Sequence, residues 1–200
     1  MKVLGVTGGI ATGKSNITKL FVMWGIPVVD ADEISRQLTK EKGKALPFIQ
    51  EAFGEKVFDA QGRLNRKALG EVVFSNPEEK EKLENILHPF IEQEMKRQLE
   101  ILEAKGVRVA VIDVPLLFEA GMSGLADEIW LTYAPVEEQV RRLEKRNGLT
   151  QLQAMERITS QWPFEKKKLL ADEIIDTTGP KEETAKRVKN LFSKHFYSIG

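Results

Sequence analysis

The sequence predicts an α/β domain in which a parallel sheet is flanked by helices, and three observations predict it. Short apolar runs recur between helical stretches, at Val3–Thr7, Pro27–Asp30, Val107–Asp113, Glu128–Thr132 and Glu173–Ile175. One of them, Val107-Arg108-Val109-Ala110-Val111-Ile112, is almost continuously apolar, as a strand buried on both faces requires. A glycine-rich segment, Gly8–Ser15, joins the first run to a helical pattern. Strands separated by helices imply right-handed crossovers and a parallel sheet. The C-terminal ends of all strands then share one edge, where ligands bind.

The first strand is Lys2-Val3-Leu4-Gly5-Val6-Thr7. Gly8-Gly9-Ile10-Ala11-Thr12-Gly13-Lys14-Ser15 follows it and matches G-x-x-x-x-G-K-[ST]. A helix follows, with Ile17, Leu20 and Phe21 on one face. Strand, glycine loop and helix together make a phosphate site. Several backbone N–H groups must converge on one phosphate, which takes close approach and unusual dihedrals, and glycine permits both. The helix N-terminus adds unpaired N–H groups and the positive end of a dipole. Lys14 is then the mobile cation for the β- and γ-phosphates, and the Ser15 hydroxyl faces Mg²⁺.

Val28-Val29-Asp30-Ala31-Asp32 ends the second strand with two carboxylates. At the ligand edge, such a group orients or deprotonates an attacking hydroxyl, or holds Mg²⁺ through water. Alternatively Asp30 or Asp32 only caps a helix over Glu33–Thr39. Both readings stay open for Asp30, and Asp32 is the better candidate for chemistry.

The interval from Ile34 to Gly106 is too long for one crossover and predicts helices at Ala45–Phe53, Arg66–Phe74 and Pro77–Lys105. Asn76 before Pro77 reads as an N-cap with proline at the first helical position. His88-Pro89 interrupts the last helix, and His88 is either a substrate contact or a surface residue at a proline kink. His195 reads as surface.

Asp113 ends the buried third strand, where it either assists Mg²⁺ or satisfies backbone N–H groups. Pro115-Leu116-Leu117-Phe118-Glu119 follows as a loop packing apolar side chains beside the site. The segment Val136–Leu170 reads as helical and basic, with eight basic against three acidic residues between Arg141 and Lys168. That local excess points to phosphates or to a solvated lysine-rich surface. Arg142 and Arg146 share a helix face and suit bidentate binding of one polyphosphate. The competing reading pairs Arg142 with Glu138. Asn147-Gly148 marks a turn between helices.

Composition narrows the class. Two hundred residues, 42% hydrophobic, make one domain with room for insertions. Thirty basic and thirty acidic residues leave no net charge, against a dedicated nucleic-acid binder. With no cysteine there are no disulfides or thiolate metal sites, as suits a reducing cytosol. The chain opens on a strand rather than a signal peptide, and no apolar run approaches the roughly 20 residues that span a bilayer. The expected setting is cytoplasmic, without membrane or nucleic-acid partners.

Three function classes use such a loop: a small-molecule kinase, a regulatory GTPase and an ATPase subunit of a machine. The guanine-reading [NT]-K-x-D is missing, and Asp59-Ala60-Gln61-Gly62 matches the switch pattern D-x-x-G only as a turn. A machine ATPase generally has a longer chain and borrows arginines from partners. Here the arginines lie in cis on a helical insertion able to close as a lid and exclude water. The kinase is favoured.

The chain resembles the dephospho-coenzyme A kinase family. The resemblance is carried by Gly5–Ser15, Val29-Asp30-Ala31-Asp32, Ile34-Ser35-Arg36-Gln37, Leu87-His88-Pro89 and Val114-Pro115-Leu116-Leu117 with Glu119. Arg142 with Arg146, Ser160-Gln161 with Pro163, and Ala171-Asp172 leading to Ile175-Asp176 continue it in order. It implies a three-layer P-loop kinase fold with a five-stranded parallel sheet. The core would span about 1–33, 107–135 and 171–200, with a helical CoA-binding insertion over about 34–106 and a lid over about 136–170. It implies transfer of the ATP γ-phosphoryl to the ribose 3′-hydroxyl of dephospho-CoA, with Mg²⁺, in a monomer or weak oligomer. Asp32 would face that hydroxyl, and Gly8–Asn16 with Arg142 and Arg146 would hold ATP. Arg36, His88 and Pro115–Phe118 would contact the acceptor. Ser15 would meet the metal, with Asp32 or Asp113 acting through water.

Some positions depart from the family pattern. Asn16 stands where Thr is common, and Ala11-Thr12 replace a commoner Gly-Ser. Ala11 carries a β-carbon, so the backbone there is expected to suit an ordinary residue. Thr177 replaces a frequent Asn in the loop expected near adenine.

Overall fold

In the computed structural model, which describes residues 1–197 apart from the side chains of Ser75 and Tyr197, five parallel strands run in the order β2-β3-β1-β4-β5. They are β1 Lys2–Gly8, β2 Val28–Asp30, β3 Val109–Asp113, β4 Glu128–Tyr133 and β5 Glu173–Asp176. The central strand β1 pairs with β3 through Val6 opposite Asp113, and with β4 through Gly8 opposite Thr132. All five expected strands form. The third starts at Val109 rather than Val107, whose N–H is tied back to the Leu102 carbonyl at 3.1 Å.

Two Ala-Asp-Glu-Ile segments, 126–129 and 171–174, fix where β4 and β5 begin. Asp127 accepts the Val3 N–H at 2.7 Å and returns its own N–H to the Val3 carbonyl. Asp172 does the same with Ile129. Each aspartate closes a small ring across the sheet, so a one-residue slip would break two hydrogen bonds as well as the facial pattern.

The chain divides into two compact units, Met1–Val29 with Leu99 onward, and Asp30–Gln98. The first holds the sheet and the helices α1 (Lys14–Met23), α6 (Val136–Asn147), α7 (Gln151–Thr159), α8 (Phe164–Lys168) and α9 (Lys181–Phe192). Its core joins Leu4 and Val6 of β1 to Val109, Val111 and Trp130 of the neighbouring strands. Ile17 and Phe21, four apart on α1, cover that face together with Val188 and Phe192 of α9. The segment 136–170 belongs to this unit.

The second unit contains α2 (Ala31–Leu38), α3 (Leu46–Phe53), α4 (Arg66–Ser75) and most of α5 (Pro77–Ala104). Ile34, Leu38, Ile49, Phe53, Val57 and Met95 are buried in it. Asn76 accepts the Glu78 N–H at 2.9 Å, as expected of a cap before Pro77.

Three expectations are corrected. Helix α2 starts at Ala31, because Asp30 accepts the N–H groups of both Asp32 and Glu33; Asp32 is therefore inside the first turn and is not the cap. Helix α5 runs through Pro89 without interruption. Proline removes a single N–H, and a helix of 28 residues with buried Ile91, Met95 and Leu99 survives that loss. His195 is not a surface residue. It is half-buried against Trp130, with Nδ1 2.7 Å from Glu128 and Nε2 3.4 Å from Glu173, the glutamates of the two repeated segments.

Candidate active site

The glycine loop lies between β1 and α1, and its carbonyl groups are held by side chains from distant strands and helices. Thr12 Oγ1 donates to the Gly9 carbonyl at 2.7 Å and lies 2.7 Å from Thr132 Oγ1 at the end of β4. Thr177 Oγ1, just past β5, donates to the Thr12 carbonyl at 2.6 Å. Arg142 Nη1 donates to the Ala11 carbonyl at 3.0 Å. Two neighbouring strand ends, those of β4 and β5, and helix α6 thus pin one loop. Helix α1 begins on Gly13 with no side-chain cap, so no side chain occupies the orphan N–H groups of its first turn.

Packing requires glycine at two of these positions. A β-carbon on Gly8 would lie 1.9 Å from Thr132 Oγ1. One on Gly13, where φ is +90°, would lie 2.9 Å from Thr177 Oγ1. Ala11 overturns an expectation. Its φ is +59°, in the left-handed region, so the backbone there is one that glycine favours. An alanine in that region is strained by about 1–2 kcal/mol. Ala11→Gly is therefore expected to leave the melting temperature unchanged or raised. An ordinary loop alanine loses stability on the same change, because glycine gains freedom in the unfolded chain. A clear fall in a thermal melt would show that the strain is absent.

Lys14 Nζ forms an ion pair with Asp113, whose side chain is buried at the end of β3. Both residues therefore stand together at the loop. Ser15 and Asn16 are exposed at the start of α1, and the Asn16 N–H donates to Gly13.

Arg142 makes the Glu138 pair that one reading expected, and it also reaches the glycine loop. Its Nε donates to Glu138 at 2.7 Å, while its Nη atoms reach Ala11, Thr177 Oγ1 at 3.1 Å and the Thr177 carbonyl at 2.8 Å. The Arg141 hydrogen bonds, helped by Arg142 against the effect of burial, hold Glu138 down to a pKa of about 2. Arg146 departs from the expected pair. It is exposed on α6 and bonds the Asn147 side chain, not the loop.

The apolar loop after β3 is only partly available to a ligand. Leu117 and Phe118 are buried in the core, while Pro115 and Leu116 are half-buried and the Pro115 carbonyl accepts from Thr7 Oγ1. In the second unit, Asp32 and Arg36 are exposed on α2, with Arg36 3.6 Å from Glu33. His88 is half-buried on α5.

Thr132 escaped sequence reasoning altogether, and nothing local distinguishes a strand-end threonine. Thr177, whose loop is expected near adenine, holds Thr12, Arg142 and the Tyr133 carbonyl together. Gln161 accepts the Ile10 N–H at 2.8 Å and so ties the segment after α7 to the loop. Lys167, one of three consecutive lysines, is buried and paired with Glu119 at 2.6 Å. The basic segment is thus not a uniformly solvated surface.

A family model described as Dephospho-CoA kinase matches residues 2–183. A dephospho-CoA kinase of Enterococcus faecalis (strain ATCC 700802 / V583) is 44% identical over 188 residues, covering 94% of each chain. Among solved structures, TT1252 from Thermus thermophilus superposes with a TM-score of 0.80 at 33% identity, covering 97% of each chain. The dephospho-CoA kinase from Campylobacter jejuni superposes at 0.73 with 28% identity over all of both chains.

Proposed function

The chain belongs to the dephospho-CoA kinase family, and on that premise we propose how its own residues divide the work. The reaction is ATP-dependent phosphorylation of dephospho-CoA at the ribose 3′-hydroxyl, the last step of CoA synthesis. The observation that supports the division best is the pinned glycine loop, with Lys14 and Arg142 both engaged at it.

Residues 8–16 bind the ATP phosphates through backbone N–H groups and the uncapped start of α1. Lys14 follows the γ-phosphoryl during transfer and offsets charge on its equatorial oxygens. Arg142 keeps the loop carbonyl of Ala11 turned toward α6 and supplies a second positive charge. Asp32 takes the proton of the 3′-hydroxyl as its oxygen bonds to phosphorus, and ADP leaves from the opposite side. Arg36, His88, Pro115 and Leu116 contact the acceptor. The insertion over about 34–106 forms the acceptor-binding part, and about 136–170 acts as the lid.

Mg²⁺ fits the residues present. Among the described residues no group of three or more His, Cys, Asp or Glu makes a ready metal cage. An ion that arrives on ATP phosphates needs only a hydroxyl and a carboxylate or two through water. Ser15 would offer the hydroxyl, with Asp113 or Asp32 acting through water, and a bound ion would supply positive charge against the ATP phosphates. No helix among the described residues is long and apolar enough to cross a membrane. We place the enzyme in the cytoplasm as a monomer or weak oligomer.

Incubation with Mg-ATP and dephospho-CoA, followed by mass spectrometry, tests the reaction. CoA and ADP in equal amounts are expected; ADP without CoA would overturn it. Arg142→Ala should lower kcat more than it raises the KM for ATP, since the loop is then less well held at the transition state. Hydrogen exchange of 136–170 should slow when Mg²⁺ and a non-hydrolysable ATP analogue are added, as differential contacts favour a closed state. Unchanged protection would remove the lid from the mechanism.

A further inference from the structure

We propose that Gln161 is a phosphate-responsive switch at the glycine loop: its side chain accepts the Ile10 N–H before a nucleotide binds and donates to a phosphoryl oxygen afterwards. The inference rests on the reading that residues 8–16 hold the ATP phosphates, and it brings in a residue from outside that stretch.

The geometry starts at Ile10. Its N–H belongs to a loop whose backbone donors serve phosphate, yet it donates to Gln161 Oε1 at 2.8 Å, across 151 positions. A phosphoryl oxygen and the Gln161 carbonyl oxygen therefore compete for one donor. The orientation of the amide follows, because a backbone N–H only donates and the atom facing it must be oxygen. The other end of the amide is uncommitted. Gln161 Nε2 makes no hydrogen bond with any described residue.

Gln139 is the contrast. A β-carbon on Gly9 would lie 3.5 Å from its Oε1 and 3.7 Å from that of Gln161, so both glutamines reach the start of the loop. Gln139 is buried, and its Nε2 is committed to the Ala134 carbonyl at 2.8 Å, which fixes its amide. In Gln161 the backbone is fixed instead. Its N–H donates to the Ile158 carbonyl at 3.3 Å, at the turn that closes α7, and the next N–H, of Trp162, goes to Glu119 at 3.2 Å. The side chain borders the open space beside Gly9 and Thr12, where the amide has room to turn.

The residue type fits an exchange of partners. A carboxylate would accept the N–H but repel phosphate. An ammonium would bind phosphate but has nothing to accept with. An amide does both by turning about its last torsion. Once turned, Nε2 faces the Ile10 N–H donor to donor, an arrangement that needs an anionic oxygen between them. Entry of the phosphoryl oxygen and turning of the amide are thus one event. A hydrogen bond to a charged oxygen is stronger than the neutral one it replaces, so the exchange favours the loaded arrangement and keeps the segment after α7 on the loop.

NMR of the isotope-labelled whole protein, titrated with Mg-ADP and separately with Mg²⁺ and a non-hydrolysable ATP analogue, reads both partners. The Gln161 NH2 signal, identified by its loss in Gln161→Met, should move downfield and exchange more slowly with water at saturation, and the Ile10 N–H should shift with it. A response to both nucleotides assigns the β-phosphoryl oxygen, and a response to the analogue alone assigns the γ. Calorimetric affinities separate a switch from a plain competitor. Gln161→Met removes acceptor and donor together and should weaken binding of the analogue by about tenfold, the worth of a hydrogen bond to a charged group. Loss of a side chain that merely blocked the Ile10 N–H would tighten binding instead. Gln161→Glu keeps the acceptor but puts a negative charge in place of the donor, and should weaken binding further. An NH2 signal that does not move at saturation, or a Gln161→Met protein that binds as tightly as wild type, would overturn the switch. The Ile10 shift would then still report phosphate on the loop and leave the kinase reading intact. A wild-type protein that binds neither nucleotide would overturn that reading and the switch with it.

Discussion

Replacing Lys14 by alanine should lower kcat by at least about 10²-fold, the usual effect of removing a charge aimed at a transferring group. The structure adds a second consequence. Lys14 pairs with Asp113, which is only 4% exposed, so the substitution also removes the cation facing a buried carboxylate. Breaking a buried pair from one side destabilises more than a surface change. The expected variant is therefore folded but melts lower, and Lys14→Ala with Asp113→Asn should recover stability without recovering rate. Circular dichroism and a coupled ADP assay on the same preparations separate the two effects. A folded Lys14→Ala protein retaining more than about a tenth of wild-type kcat would exclude the assigned role.

That coupling shows where sequence reading reaches and where it stops. Strand β1, the loop and α1 were legible because local pattern and tertiary role coincide. Val3–Thr7 is apolar, the glycines stand at fixed spacing, and Ile17 and Phe21 recur four apart. The strand ends carrying Asp30 and Asp113 were legible for the same reason. The Lys14–Asp113 contact was not, because it spans 99 residues and depends on β1 lying beside β3.

Other features were hidden because the sequence signal points the other way. Ala11 looks like a residue with ordinary dihedrals, yet the constraints on the loop from Arg142, Thr12 and Thr177 hold it at positive φ. Lys167 sits in a lysine run that reads as solvated, and only Glu119, 48 positions away, explains its burial. His195 reads as terminal surface until the two repeated Ala-Asp-Glu-Ile segments bring Glu128 and Glu173 to either side of its ring. Pro89 reads as an interruption, but a single lost N–H is outweighed by the packing of α5. Leu117 and Phe118 share the apolar character expected of a ligand-facing loop, and in the fold that character serves the core.

Asp32→Asn should lower kcat by roughly 10²–10⁴-fold with little change in ATP affinity, the range of a positioned general base. The amide keeps the shape of the carboxylate and loses its charge and its capacity to take a proton. The structure separates this residue from its neighbour. Asp30 is committed to the helix, accepting two N–H groups at 2.8 and 3.1 Å. Asp32 is exposed in the first turn of α2, and its carboxylate makes no hydrogen bond or ion pair with any described residue. Its structural worth is limited to the helix dipole, about 0.3–1 kcal/mol, so Asp32→Asn should melt close to wild type. Asparagine caps helices about as well as aspartate, so Asp30→Asn should keep both stability and most of the rate. Asp30→Ala, which removes the cap, should lose about 0.5–2 kcal/mol of stability. The informative comparison is kcat at saturating ATP for Asp30→Asn and Asp32→Asn side by side. Equal rates, or greater sensitivity at Asp30, would mean that the proton leaves by way of the capping carboxylate and that the uncommitted one is a bystander.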